Sequence, residues 1–195
     1  MKYEAEFRKQ LMDNATQLVA EGGFEAATTR ALTTSSEQKI NDVYIYRLYG
    51  SKDGLFEAVF AALDDELFTA FWKRCQQVHD IRTNTREKLY EIFVHAWKFL
   101  LQNEAKCRYY VRFYYSVYFQ GDILTRHRKT FSKLISHFDS LFKEEADTFS
   151  IMHSVFSSLL DFAIRVYNGD LEDNEANREH IFNVAYCIMQ SYLQT

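Results

Sequence analysis

Not one of the 195 residues is a proline. The proline ring fixes φ and removes the amide proton, so proline breaks helix interiors and is favoured at turns and strand edges. A chain made of helices with short polar joints has no need of it. Strand signals are missing too, since no Asn-Gly or Asp-Gly turn joins two alternating apolar runs. The expected fold class is all-α. With 47% of residues apolar and 16% aromatic, a packed core is within reach.

Hydrophobic periodicity divides the chain into helices. From Glu4 to Glu21 the stripe is Phe7, Leu11, Ala15 and Leu18, and Gly22-Gly23 ends it, because glycine accepts the left-handed cap conformation. A second helix is predicted from about Thr28 into Ser35 or Ser36, behind a threonine cap. Asn41 is placed to cap a short third helix over Asp42–Leu48, which Gly50 closes, and Ser51 caps the next. That long helix runs to about His79 with Leu55, Val59, Leu63 and Leu67 on one face. The pattern resumes over Thr85–Gln102 with Leu89, Phe93, Ala96 and Leu100, and residues 105–120 read as an unusually aromatic helix. After Gly121 an amphipathic helix is predicted to about Lys143. The last two helices, near Thr148–Asn168 and Asn174–Gln194, flank the acidic joint Gly169–Asp173 and carry broad apolar faces. Three short helices are thus followed by about six longer ones.

Several function classes are disfavoured. The net charge is −4, and residues 1–54 balance seven bases against eight acids, so DNA affinity would have to come from placed contacts rather than bulk charge. Cys75, Cys107 and Cys187 are far apart and in no metal or redox spacing, which reads as reduced, buried thiols. The joint at Asp170, Glu172 and Asp173 lacks the glycine and terminal glutamate of a calcium loop. With no His/Cys metal set, nucleophile elbow or phosphate-cradling glycine loop, neither an enzyme nor a resident metal or cofactor is expected. The start lacks a signal-peptide core, and no run approaches the ~20 apolar residues of a membrane span, so a cytoplasmic location away from membranes is expected. Arg126-His127-Arg128-Lys129 is read as a solvated face.

Residues 11–55 are more specific. Leu11, Ala15, Leu18, Gly22-Gly23-Phe24 and Thr28, followed by Ile45-Tyr46-Arg47-Leu48-Tyr49-Gly50-Ser51-Lys52-Asp53-Gly54-Leu55, resemble the DNA-binding domain of the TetR family of bacterial regulators. The second segment is similar to the family's Leu-Tyr-x-x-Phe-x-x-Lys-x-x-Leu signature. Two features depart from it: the chain is about two residues longer between Leu32 and Tyr46, and Gln38-Lys39 replaces the usual Ala-Gly before the third helix.

The resemblance implies an N-terminal three-helix, helix-turn-helix domain at residues 1–50 and a larger helical ligand-sensing and dimerisation domain at residues 51–195. The partners implied are a double-stranded DNA operator, a small-molecule effector and a second copy of the chain. Asp42, Val43, Tyr44 and Arg47 are expected outward on the reading helix, with Tyr44 offered to base edges and Asp42 favouring the helix N-terminus. Tyr46, Lys52, Thr28 and Thr29 are expected at phosphates. Within the aromatic run, Tyr110, Phe113 and Tyr114, with Trp97 and His153, are candidates to border an effector pocket, because tyrosine hydroxyls need partners. Family resemblance further implies a two-state dimer, a repressor as most members of the family are, that an effector releases from DNA by moving the fourth helix. The alternative is a TetR-like protein whose helix-turn-helix is inert and which acts through protein partners.

Overall fold

The computed structural model describes residues 2–34, 40–78 and 81–194, the side chains of Lys2 and Tyr3 excepted. Among the described residues there are nine α-helices and no strand. They are α1 (Lys2–Gly22), α2 (Thr29–Thr34), α3 (Val43–Tyr49), α4 (Lys52–Gln77), α5 (Thr85–Gln102), α6 (Glu104–Tyr114), α7 (Gly121–Ser136), α8 (Thr148–Tyr167) and α9 (Glu175–Gln190). The all-α expectation holds, with the helices in the predicted order. The predicted reach of the second helix into Ser35 or Ser36, the Gln38-Lys39 turn and the end of the fourth helix at His79 lie outside the described residues.

Three predicted helices are shorter than their periodicity suggested, the last of them ending at Gln190 rather than Gln194. Helix α6 stops at Tyr114 rather than residue 120. There the Ser116 hydroxyl donates to the Phe113 carbonyl (2.7 Å) and accepts from the Tyr118 amide (3.2 Å), a local alternative to the helical ladder. Helix α7 ends at Ser136 rather than Lys143. A short 3-10 turn follows at Asp139–Leu141, and the chain then pairs with the C-terminal segment: the Lys143 amide donates to the Tyr192 carbonyl (2.9 Å) and the Gln194 amide to the Leu141 carbonyl (2.8 Å). Partners about 50 positions apart leave no trace in a local pattern.

Contacts divide the chain into two compact units, one of residues 1–65 with 105–127, the other of residues 66–104 with 128–195. In the first of these, α6 returns to pack with the first half of α4. In the first unit Phe60 of α4 stacks on Phe113 and Tyr110 of α6 (centroids 4.5 and 4.9 Å), and the Tyr109 hydroxyl donates to the Phe56 carbonyl at 2.9 Å. Aromatic pairs of this kind contribute about 0.5–1.5 kcal/mol beyond area burial. The second unit is built of the rest of α4 with α5, most of α7, α8 and α9. Its core includes Leu89, Phe93, Ala96, Val155, Leu159, Ile181 and Phe182, all buried.

Contrary to the sequence expectation, α8 is long and apolar enough to pass as a membrane span by length and composition. Its Ile151, Val155, Leu159 and Ala163 are nonetheless buried within the second unit, where it packs on α5 and α9. One face of α8 thus lies in the core, and the opposite face is left open.

Candidate functional site

Helix α3 is seven residues long, too short to persist alone in water. Its position is fixed from α1. Ile45 and Leu48 are buried, and the Tyr44 ring packs edge-on against Phe7 at 4.7 Å. At its C-terminal end the Tyr49 hydroxyl donates to the Arg8 carbonyl (3.0 Å), while the Arg8 guanidinium donates to the Leu48 carbonyl (3.3 Å). Burial pushes the Tyr49 phenol above its usual range, and the Arg8 charge opposes the shift. Helix α2 is held in a similar way, since the Asn14 amide donates to the Leu32 carbonyl at 2.8 Å. These two side chains of α1 tie off carbonyls that helix ends leave orphaned. Sequence reasoning missed both, because only contacts 18 and 40 residues apart identify them.

The caps follow the predicted logic with one refinement. Thr28 Oγ1 accepts from the Ala31 amide (3.1 Å) and Ser51 Oγ from the Gly54 amide (2.9 Å). Asn41 Oδ1 accepts from the Val43 amide (3.0 Å), whereas the capping position itself is Asp42, whose side chain makes no cap bond. Gly50 closes α3 with φ +77° and donates its amide to the Tyr46 carbonyl. Four residues on, a Cβ at Gly54 would lie 2.2 Å from the Tyr49 carbonyl oxygen, so the joint between α3 and α4 admits no side chain there.

The outward face of α3 carries Val43, 61% exposed, Tyr46, 55% exposed, and Arg47, with Asp42 exposed just before it. Thr28 is exposed; Thr29 and Lys52 are half-buried. The Lys52 ammonium lies 5.6 Å from the centre of the Phe56 ring, which fixes its stem against the helix start. Tyr44, expected outward, is half-buried because α1 offers Phe7 to its ring, and the Arg47 guanidinium lies 5.9 Å from the ring centre.

A short helix, held by α1 and presenting a polar and apolar outer face, has the form of a reading helix in a helix-turn-helix. Residues 11–59 match the family model described as "Bacterial regulatory proteins, tetR family". Over this segment the chain carries a helix-turn-helix domain of the TetR family of bacterial regulatory proteins. The TetR-family fold continues past the matched segment. A TetR family transcription regulator from Marinobacter aquaeolei VT8 is similar over 100% of both chains, with a TM-score of 0.81 at 19% identity. A TetR-like transcriptional regulator from Rhodococcus sp. RHA1 covers 93% of this chain and 94% of its own (TM-score 0.67, 20% identity). The fatty acid degradation regulator FadR from Bacillus halodurans covers 91% and 96% (TM-score 0.67, 16% identity). At these identities the likeness is one of fold. No curated protein matches the chain by sequence.

The residues singled out for an effector pocket are divided between the two units. Tyr110, Phe113 and Tyr114 belong to the first unit, Trp97 and His153 to the second. Tyr110 and Phe113 are buried against Phe60, and the Tyr110 hydroxyl donates to Asp64 at 3.0 Å. Tyr114 packs on Phe119 (4.3 Å) and His127 (5.7 Å). Trp97 is buried and its indole N–H donates to Asp173 at 2.9 Å, where Arg178 holds the same carboxylate and keeps its pKa below the usual range. His153 is half-buried beside Phe131 and Phe149. The polar tips of Trp97 and Tyr110 thus already have structural partners. A cavity of about 70 Å³ does exist in the second unit, between α4, α5, α7, α8 and α9, and none of the five lines it.

Proposed function

We propose that this chain is a ligand-responsive regulator that acts in the cytoplasm as a homodimer, a repressor released from its operator by a small molecule. The observation that carries the reading is the exposed face of α3, with Val43, Tyr46 and Arg47 on a helix whose C-terminal end is held by Arg8 of α1, while Asn14 of the same α1 holds α2. Outward residues of α3 read base edges, while Thr28, Thr29, Tyr46 and Lys52 hold phosphates and set the register. Asp42 serves the helix start rather than a base. Tyr44 supports the reading helix through Phe7 and reaches DNA only at its ring edge.

The effector acts through α4, which contributes its first half to the unit containing α3 and residues Phe71 and Cys75 to the cavity wall of the other. A ligand shifts the regulator only as far as it binds the DNA-free state more tightly than the DNA-bound one. The test is fluorescence anisotropy with duplexes from upstream of its own gene, with scrambled duplexes as control. Sequence-selective binding that a cavity ligand weakens supports the reading; no binding to any duplex sinks it.

The second reading is a helix-turn-helix that is inert toward DNA, the chain acting through protein partners. It is favoured by the charge balance of residues 1–54, seven bases to eight acids, since DNA affinity draws heavily on phosphate neutralisation. The same titration separates the two.

A further inference from the structure

The cavity in the second unit says more about its occupant than that one exists. Its wall is made of seventeen side chains, all of them apolar, six being phenylalanine and two methionine. The one with any hydrogen-bonding capacity is Cys75, and burial pushes that thiol up to about 12, so it is neutral and a poor donor near neutral pH. The backbone around the cavity is helical except at Phe138, whose amide and carbonyl are paired in the turn after α7, and the N–H and C=O groups of the rest are spent within α4, α5, α7, α8 and α9.

A carboxylate, ammonium or amide entering such a wall would give up its water and gain no partner, a cost of several kcal/mol even for a neutral polar group. Apolar surface meets no such penalty. The geometry points to an uncharged, hydrocarbon-like ligand, an aromatic ring or alkyl segment with no group that must hydrogen-bond, bound among Phe71, Cys75, Phe93, Phe156, Leu159 and Met189. This inference rests on the reading of the chain as ligand-responsive, whose site it specifies.

Size sets a further condition. A dry cavity of about 150 Å³ takes up benzene, so at about 70 Å³ this one has to widen around a ring. Met152 and Met189 are the side chains suited to that, since an unbranched thioether moves between rotamers at little cost. The same chemistry has two possible sources, a free small hydrocarbon or the tail of an amphiphile whose charged head stays outside.

The experiment uses the full chain and three probes: toluene, benzoate and decanoate. Toluene at about ten times its Kd is expected to raise Tm by roughly 3–6 °C, with a negative heat-capacity change of binding by calorimetry. Benzoate, the same ring with a charge, is expected to produce no shift. Decanoate that raises Tm and competes with toluene identifies an amphiphile tail; decanoate without effect identifies the free hydrocarbon, and both outcomes support an apolar site. Ala96→Leu and Ala185→Leu each push a larger side chain toward the space and are expected to abolish the toluene shift while apo Tm holds or rises. Two filling positions guard against one failing to fold. The inference is overturned if benzoate shifts Tm and toluene does not, or if toluene's shift survives in both folded filling variants. DNA affinity is measured separately: toluene that binds the cavity yet leaves operator binding unchanged preserves this inference and defeats the ligand-responsive reading.

Discussion

Asp64 is the most consequential buried polar group in the first unit. One of its oxygens accepts from the Tyr110 hydroxyl (3.0 Å) and pairs with His127 Nδ1 (2.9 Å), joining α4, α6 and α7 at a single atom among Phe60, Tyr114 and Phe119. Removing the carboxylate takes that acceptor from both groups, and an unsatisfied buried donor costs about 1–3 kcal/mol. Asp64→Leu is therefore expected to lose about 2–4 kcal/mol in urea unfolding, with Tyr110→Phe costing less because His127 keeps its partner. Stability toward alkali follows from neighbouring burial. Tyr109 and Tyr110 have phenol pKa values raised above 10 by burial, and the Cys75 thiol is pushed up to about 12. A raised folded-state pKa means the folded form keeps its proton longer, so this stability is complete below the unfolded pKa. It is lost as pH climbs from about 9 through the folded values, each group contributing up to about 1.4 kcal/mol per pH unit. Denaturation midpoints at pH 8, 10 and 11 are expected to fall progressively, and a flat profile would contradict the burial of these groups.

At the scale of the element, α3 shows what a sequence conveys and what it withholds. Its existence, its caps at Asn41 and Gly50 and its buried Ile45 and Leu48 were legible, because they depend on spacing within ten residues. The orientation of Tyr44 was not, because it is decided by Phe7 on another helix. Pocket residues failed for the same reason: Trp97 and Tyr110 carry the polar tips a pocket would want, but Asp173 and Asp64 satisfy them from 76 and 46 positions away. The cavity instead lies among aliphatic and phenyl side chains that read from sequence as ordinary core. Division of labour along the interface is testable. Lys52→Ala is expected to weaken binding to operator and scrambled DNA alike and to lower the salt slope by about one. Val43→Ser, on the exposed outer face of α3, is expected to cost on the order of 1–3 kcal/mol on the operator and little on scrambled DNA. Titrations of both variants at two salt concentrations decide it; equal losses on both DNAs would remove α3 as the reading element. Gly54→Ala, which forces a Cβ onto the Tyr49 carbonyl, is expected to impair both kinds of binding by displacing α3 from α4.

At the scale of the whole molecule, the unresolved demand is the outer face of the last two helices. In the most apolar window of α8 only 28% of residues are buried, although its composition would suit a lipid interior. Phe162 and Val166 on α8, and Val184 and Ile188 on α9, are only partly covered. A soluble monomer rarely leaves so long an apolar stretch in water. A second copy covers it most economically, since a two-fold axis pairs the same patch with itself and closes the assembly at two chains. A stable interface of this kind buries about 800 Å² per partner, within reach of two helices of 20 and 16 residues. Dimerisation also bears on DNA, because two linked reading helices gain roughly 10²-fold or more over one through effective concentration. Ile188→Asp places a charge on that face without touching α3, the cavity wall or the buried pairs of α9. Light scattering is expected to show a dimer for the wild type at micromolar concentration and a folded monomer for the variant, with operator affinity reduced by roughly that avidity factor while half-site affinity is kept. A wild-type monomer under those conditions would leave the α8–α9 face without its partner and remove the two-fold arrangement from the mechanism.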